Sequence, residues 1–521
     1  MKKLPIGRQT FSEVMETGYY VDKTNYIEML TNIGTYFFLS RPRRFGKSTF
    51  LDTLKDAFEG KEKLFKGLYI GNRWDWSKKH PVIKISFGGG IMQSTEDVYN
   101  KIRGVLYFNQ KHLDIQCHNT DPSNCLAELI QSSFEKYKEK VVLLIDEYDK
   151  PILDNIDNLE VALPVREILK GFYSVIKDSD EYIQFTFITG VSKFSKVNLF
   201  SGLNNLKDVT LDERFATICG YTHNELLDTF RNRLEGVPLD TLKSWYNGYN
   251  FLGEKVYNPF DVLLYLDSKQ FKNYWFETGT PSFLIKLIEN RKYHIPDLES
   301  VQLSENLLNS FDVDSIELET LLFQAGYLTI KNEFTFGQKK GYNLQYPNLE
   351  VKASLTDYIL TYLSKSHQKK ELAQQKLIQI LSENNIDALK ELFYSFFASI
   401  PYNWYTNNTI ANYEGYYASI FYCYFAALGL EVKPEDTTNQ GRIDMTVVYA
   451  NRCFIFEFKV NELTEVGSAM IQLKEKKYHE KYVGYASTHV DSGTVKEIYL
   501  IGVEFSKTDK NITVFEWEKV N

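Results

Sequence analysis

Much that would mark a specialised chain is missing from these 521 residues. Cysteine is scarce: Cys117, Cys125, Cys219, Cys423 and Cys453 are scattered, with no Cys-x-x-Cys pair. An odd, unpaired set argues against a disulfide framework, and Cys117-His118 with Cys125 falls short of four zinc ligands at regular spacing. The histidines are spread out without metal-ligand spacing, and no G-x-S-x-G elbow occurs. No apolar run reaches the ~18 residues of a membrane span. The nearest, ASIFYCYFAALGL at 418–430, reads as a buried helix. The opening MKKLPIGRQTF has two lysines but no apolar h-region, so it does not read as a signal peptide. Basic charge is not in excess: the formal net charge is −8, so any nucleic-acid contact must use a local patch. Internal repeats and low-complexity tracts are absent. These absences predict a cytoplasmic protein with reduced thiols.

The length exceeds what one hydrophobic core supports, so several domains are expected. The first third alternates apolar strands with amphipathic helices. Strands are expected at 34–40, 82–87, 141–145 and 183–189, and helices at 47–59, 94–110, 124–139 and 165–178. That order predicts an α/β fold with a mostly parallel sheet. From about 223 to 385 the pattern is mainly helical, with a short strand near 333–337. Residues 366–389 read as a polar helical connector. A second α/β pattern follows: a helix at 413–429, a hairpin at 442–460, a Lys/Glu-rich helix at 465–480, and strands at 481–487, 496–504 and 511–518. The expected division is therefore 1–230, 231–385 and 386–521.

The first strand runs into RPRRFGKST, which ends as a phosphate-binding loop ends, although Arg41 stands where the usual first glycine would be. Backbone N–H groups from Phe45 to Thr49 would curl around phosphates at a helix N-terminus. Gly46 would let the backbone approach, Lys47 would reach the β- and γ-phosphates, and the Ser48 hydroxyl would ligate Mg²⁺. The strand VVLLI then delivers Asp146 and Glu147, the pattern of a Walker B strand. Asp146 would hold the Mg²⁺ shell and Glu147 would polarise the attacking water. A third strand ends at Thr189, which is either a sensor of the γ-phosphate or part of a strand-to-loop turn. Together these point to a bound nucleotide.

A second constellation lies in GRIDMTVVYANRCFIFEFKV. Alternation along a strand puts Glu457 and Lys459 on one face. A two-residue turn at Ala450-Asn451 sets Asp444 opposite Glu457; a turn one step later sets it opposite Lys459; a three-residue turn without a bulge would break the arrangement. Two carboxylates and a lysine among apolar neighbours are costly unless they hold a metal. Asp444 and Glu457 with Mg²⁺, and Lys459 to orient water or stabilise charge, would suit phosphodiester hydrolysis. LKEKKYHEKY at 473–482 could track a phosphate backbone, or be a solvated helix face.

RPRRFGKST, LLIDEYDKP and FITGVSKFS, with YYVDKT, ERFATICGYT, WYNGYNF and YNPFDV, resemble the AAA-ATPase-like proteins widespread in bacteria. The resemblance covers most of residues 4–350. It implies an additional-strand P-loop ATPase, with the sensor strand between the Walker A and Walker B strands, and it makes Arg41 the family's usual residue. It leaves open which of Arg41, Arg43 and Arg44 touches phosphate; such an arginine would neutralise transition-state charge or bind a partner's acids. D-x12-E-x-K is similar to the PD-(D/E)XK nuclease signature, and residues 390–521 resemble the nuclease-like domain that accompanies these ATPases. By that resemblance Glu414 matches an upstream acid and Gln472 a polar residue of the following helix. Ile443 stands where a proline often precedes the aspartate.

The expectation is a three-part α/β protein: an AAA-like ATPase domain, a mainly helical middle or lid domain, and a PD-(D/E)XK nuclease-like domain. Its cofactors would be ATP and Mg²⁺. Its partner would be nucleic acid, DNA before RNA, with no membrane and with a possible homo-oligomer. The rival reading is a signalling ATPase whose C-terminal fold only binds. A third is a nucleic-acid motor without cleavage. The aromatic motifs WYNGYNF and NYWFETGTP are expected to be packing rather than base-stacking sites.

Overall fold

The structure is a computed structural model. It describes residues 2–520 except 194–198, 201–202, 204, 277–283, 285–286, 289–292, 310–316, 365–366, 400–413 and 488–493. The chain folds as two compact units, Met1–Trp275 with Gln302–Pro347, and Phe276–Val301 with Asn348–Asn521. The stretch read as a middle domain is shared between them.

The first unit is built on five strands: β1 (Tyr36–Ser40), β2 (Val82–Ser86), β3 (Val141–Asp146), β4 (Ile183–Gly190) and β5 (Lys207–Asp208). Their order is β2-β3-β4-β1-β5, and all pair in parallel. β1 (YFFLS) and β3 (VVLLID) are buried at every position, as strands covered on both faces must be. Helices Lys47–Phe58, Thr95–Leu113, Pro122–Tyr137 and Leu159–Asp178 connect them. Ser94 caps the second and Asp121, followed by Pro122, caps the third, so both starts carry their own signal. β4 lies between β1 and β3, which brings their carboxyl ends side by side. In an open parallel sheet that edge is where ligand sites form. A smaller sheet, order β6-β8-β7, joins β6 (Val301–Ser304), β7 (Thr329–Phe336) and β8 (Lys339–Gln345).

The second unit is a five-stranded sheet of order β13-β12-β11-β10-β9: β9 (Glu431–Thr437), β10 (Arg442–Tyr449), β11 (Arg452–Val460), β12 (Glu497–Ser506) and β13 (Asn511–Val520). β11 and β12 are parallel and the other pairs antiparallel. Phe456 and Phe458 of β11 pack on Phe421 of helix Glu414–Ala427, which is the expected buried helix. On the opposite face Cys453, Ile455, Ile498 and Leu500 join Met470 and Leu473 of helix Ser468–Glu475. Helices His367–Glu383 and Asp387–Ser399 bury Leu377, Ile380, Leu389 and Phe393, so this segment is packed rather than a bare connector.

Two local expectations change. Residues 481–487 form no strand: Tyr478–Tyr482 is a 3-10 helix that buries both tyrosines, and Ala486 makes a single bridge to Thr494. Gly484 in the left-handed region (φ 70°) breaks the alternation that suggested extension. Conversely, polar EVKPEDT forms β9. Pro434 is tolerated there because β9 is the edge of the sheet.

Candidate nucleotide and metal sites

At the end of β1 the chain leaves the sheet through Arg41–Gly46 into helix Lys47–Phe58. Arg44 (φ 64°) and Gly46 (φ 92°) take left-handed backbone, which curls the loop; a Cβ at Gly46 would meet nothing within 4 Å. No side chain caps the helix. The amides of Lys47, Ser48 and Thr49 therefore have no protein acceptor among the described residues, a donor set that fits a phosphate. Lys47 is buried, and its ammonium donates to the carbonyls of Arg41 (2.9 Å) and Pro42 (2.8 Å). Burial pulls its pKa down against the pull of Asp146 and Glu147. Ser48 and Thr49 are half-buried on the first turn.

The three arginines of the loop differ. Arg41 is fully buried; its guanidinium donates to the carbonyls of Ser40 (2.9 Å), Thr210 (2.8 Å) and Phe215 (3.1 Å) and lies 3.9 Å over the Phe251 ring. Those bonds tie the loop to the segment after β5. Arg44 is exposed and lies 3.9 Å over Phe260, while Arg43 is exposed and its carbonyl accepts from Trp275 Nε1 at 3.2 Å. Phe45 is buried edge-on against Tyr249, with ring centroids 4.7 Å apart. WYNGYNF and YNPFDV thus brace the loop by packing.

Beside the loop, the Thr189 hydroxyl at the end of β4 donates to Asp146 Oδ1 at 2.7 Å. Both residues are buried. Glu147, just past β3, is held at φ 53°, and a side chain on Gly88 would come within 3.2 Å of its carboxylate. Burial raises the Glu147 pKa, with Lys47 opposing. Sequence reasoning missed Asp149. It is fully buried and accepts from the amides of Val191 (3.1 Å) and Ser192 (2.6 Å) and from Ser192 Oγ (2.6 Å). It locks the end of β3 to the end of β4. Its only signal was a third acid in IDEYDKP, which no spacing rule singles out. From Phe194 onward the motif FITGVSKFS lies outside the described residues.

In the second unit the hairpin turns at Ala450-Asn451, with Tyr449 opposite Arg452 and Met445 opposite Phe456. That register carries Asp444 opposite Glu457, the first of the two alignments expected. Asp444 Oδ2 accepts from the amide of Phe458 at 2.7 Å. Glu457 has no exposed surface, and its Oε2 is buried without a hydrogen-bond partner. The Lys459 ammonium donates to Glu457 Oε1 (2.8 Å) and the Phe458 carbonyl (3.0 Å), with Glu414 Oε1 at 3.7 Å. Asp444, Glu457, Lys459 and Glu414 are therefore neighbours. Gln472 is half-buried on helix Ser468–Glu475, which packs over the same face, and its side chain makes no hydrogen bond to any of the four.

The electrostatics are those of crowded acids. Burial and the Glu457 charge push the Asp444 pKa well up. Burial also raises Glu457 and Glu414, each opposed by Lys459. Burial pulls Lys459 down, but Asp444 and Glu457 outweigh it and hold the ammonium protonated. An orphaned buried carboxylate oxygen beside a second acid fits a divalent cation, and the ammonium stands where such a cation would be liganded. Among the described residues no group of three or more His, Cys, Asp or Glu converges to hold a metal unaided. Asp444, Glu457 and a carbonyl would have to share it.

The five-stranded parallel sheet with its glycine-lysine-serine loop defines a P-loop NTPase unit of AAA-like type. The acid-acid-lysine sheet defines a nuclease-like unit. A family model described as AAA-ATPase-like, predicted AAA-ATPase, matches residues 5–200, and a model of the PD-(D/E)XK nuclease superfamily matches residues 412–515. Over 522 residues the chain is 49% identical to a protein of Azotobacter chroococcum mcd 1 described as "Uncharacterized protein in vnfD 5'region", covering 100% of this chain and 99% of the relative. The chain belongs to this family of predicted AAA-ATPases with a C-terminal PD-(D/E)XK nuclease superfamily domain. Among the described residues no helix is long and apolar enough to cross a membrane.

Proposed function

We propose that the protein binds and hydrolyses ATP and that ATP governs a metal-dependent nucleic-acid phosphodiesterase in its second unit. The observation that carries this reading is the convergence of Asp444, Glu457 and Lys459 on one sheet face, with an orphaned buried oxygen on Glu457. In the first unit the amides from Phe45 to Thr49 and the Lys47 ammonium would hold the phosphates. Ser48 and Asp146 would hold Mg²⁺, Thr189 would steady Asp146, and Glu147 would take a proton from the attacking water. In the second unit, a divalent cation on Asp444 and Glu457 would supply a Lewis acid for the scissile phosphate. Lys459 would stabilise charge building on the phosphoryl oxygens, and Glu414 would hold Lys459 in place. DNA is the favoured substrate, in the cytoplasm, and a homo-oligomer would let an exposed arginine such as Arg43 reach a neighbour's nucleotide.

A second reading has one specific observation behind it. The Lys459 ammonium already satisfies Glu457 Oε1, and no preformed three-acid metal cluster stands among the described residues. That suits an ATPase switch whose nuclease-like unit only binds nucleic acid or a partner. A cleavage assay separates the two. Linear, circular and single-stranded DNA and RNA would be incubated with Mg²⁺ or Mn²⁺, with and without ATP, against the Lys459→Ala protein. Cleavage that disappears in the variant supports the nuclease. No cleavage of any substrate by the native chain supports the switch.

A further inference from the structure

Lys459 competes with any cation that is to use both carboxylate oxygens of Glu457, since only Oε2 is without a partner. Its ammonium sits on Glu457 Oε1 and on the Phe458 carbonyl. A divalent ion that takes both oxygens displaces it, and an ammonium largely withdrawn from water then needs a new acceptor. Glu414 is one candidate, but its side chain is 41% exposed and already lies 3.7 Å away.

The neighbouring strand offers another. In the parallel pairing of β11 with β12, Lys459 stands beside Glu504, as Glu457 stands beside Gly502. Residues paired in this way share a face of the sheet. Glu504 has no exposed surface. Among the described residues its Oε1 accepts only the Ala469 amide, at 3.2 Å, and its Oε2 is buried without a hydrogen-bond partner. It makes no ion pair with Lys459 here. Oε1 serves an amide in the first turn of helix Ser468–Glu475, but an oxygen left unpaired in the interior is costly, and that amide does not account for Oε2. Packing alone would be served by an apolar side chain, as at Ile498 and Leu500 on the same face.

We propose that Glu504 is a positioning residue that receives the Lys459 ammonium when a divalent cation enters between Asp444 and Glu457. The inference rests on the nuclease reading of that site. The lysine then has two stations on one face: Glu457 in the metal-free protein and Glu504 in the loaded one. The second station keeps the ammonium charged and close to the phosphate instead of expelling it to solvent.

The test measures metal binding. Mn²⁺ would be titrated calorimetrically into the nucleotide-free full chain, with the Asp444→Asn protein as the blank for metal held elsewhere. Glu504→Gln keeps an acceptor for the Ala469 amide and removes the charge. Loss of one charge-assisted bond should weaken Mn²⁺ binding about tenfold. Lys459→Met removes the competing cation and should tighten binding. With Lys459 replaced, Glu504→Gln should have no further effect, because Glu504 acts only through the lysine. Unchanged affinity in Glu504→Gln, or an equal loss in both backgrounds, overturns the proposal. If Glu504→Gln does not fold, Glu504→Asp draws the charge back by one methylene and should give a smaller loss that also vanishes with Lys459→Met. A native chain that binds no more Mn²⁺ than the Asp444→Asn blank overturns the nuclease reading itself, a result distinct from the other two.

Discussion

Glu457→Gln should make the metal-free protein more stable while removing its response to metal. Glu457 is wholly buried, and burial raises its pKa from the ordinary 4.5 to about 6. At about 1.4 kcal/mol per pH unit, keeping it ionised at neutral pH costs the folded state about 2 kcal/mol. The sign follows from linkage. Between pH 4.5 and about 6 the folded protein binds more protons at this site than the unfolded chain does, so this contribution falls as pH rises through that window and is flat above it. The glutamine variant lacks the fall. In EDTA its melting temperature should equal the native protein's near pH 4.5 and exceed it by about 4–8 °C at pH 7.5, scaled for a unit of roughly 200 residues. Adding Mg²⁺ at pH 7.5 should raise the native melting temperature and leave the variant unmoved, because ligand binding stabilises only a state with a site. Differential scanning fluorimetry across pH, with and without Mg²⁺, makes the comparison. A variant less stable than the native chain at pH 7.5 in EDTA would refute the reasoning. It would mean that the Lys459–Glu457 pair is worth more than the burial it entails.

Lys47→Ala should abolish ATP turnover in a phosphate-release assay with the circular dichroism spectrum unchanged; native turnover would remove the nucleotide site from this loop. Asp149→Asn should lower ATPase activity at least tenfold and destabilise the fold by about 2 kcal/mol, since an amide cannot accept all the donors from Val191 and Ser192. Native activity and stability in that variant would mean the lock between β3 and β4 is dispensable. Lys23→Met should cost about 3 kcal/mol in denaturant unfolding by stranding Glu225, which pairs with the buried Lys23 ammonium at 2.6 Å. Gly248→Ala should leave little folded protein, because its Cβ would stand 1.9 Å from the Pro347 carbonyl at φ 123°; a soluble, native-like variant would contradict the packing.

Much of the architecture was legible because the signals are local. Continuous apolar runs at 36–40 and 141–145 announced buried parallel strands, and Gly46-Lys47-Ser48 followed by a helical face announced the loop. Ser94 and Asp121 cap two of the helices in the structure, a local signal as well. β9 was not legible, because an edge strand need not be apolar. Neither was the break at 477–484, where Lys477 and Gly484 adopt left-handed backbone that composition does not reveal.

The candidate sites divide along the same line. The sequence by itself determined which chemical groups are available and that they sit at strand ends or share a strand face, because period and punctuation are properties of the chain alone. It left the hairpin with more than one possible register and the loop with three possible arginines. Tertiary structure decided the register, and it gave the three arginines different surroundings. Closing the turn at Ala450-Asn451 set Asp444 against Glu457. Carbonyls of Thr210 and Phe215, far along the chain, engaged the Arg41 guanidinium inside the fold. The pairing of β11 with β12 then put Glu504 beside Lys459, a neighbour 45 residues away that no local pattern specifies. Burial, pairing partners and the pKa shifts they cause belong to contacts between distant segments, and those exist only once the chain has closed on itself.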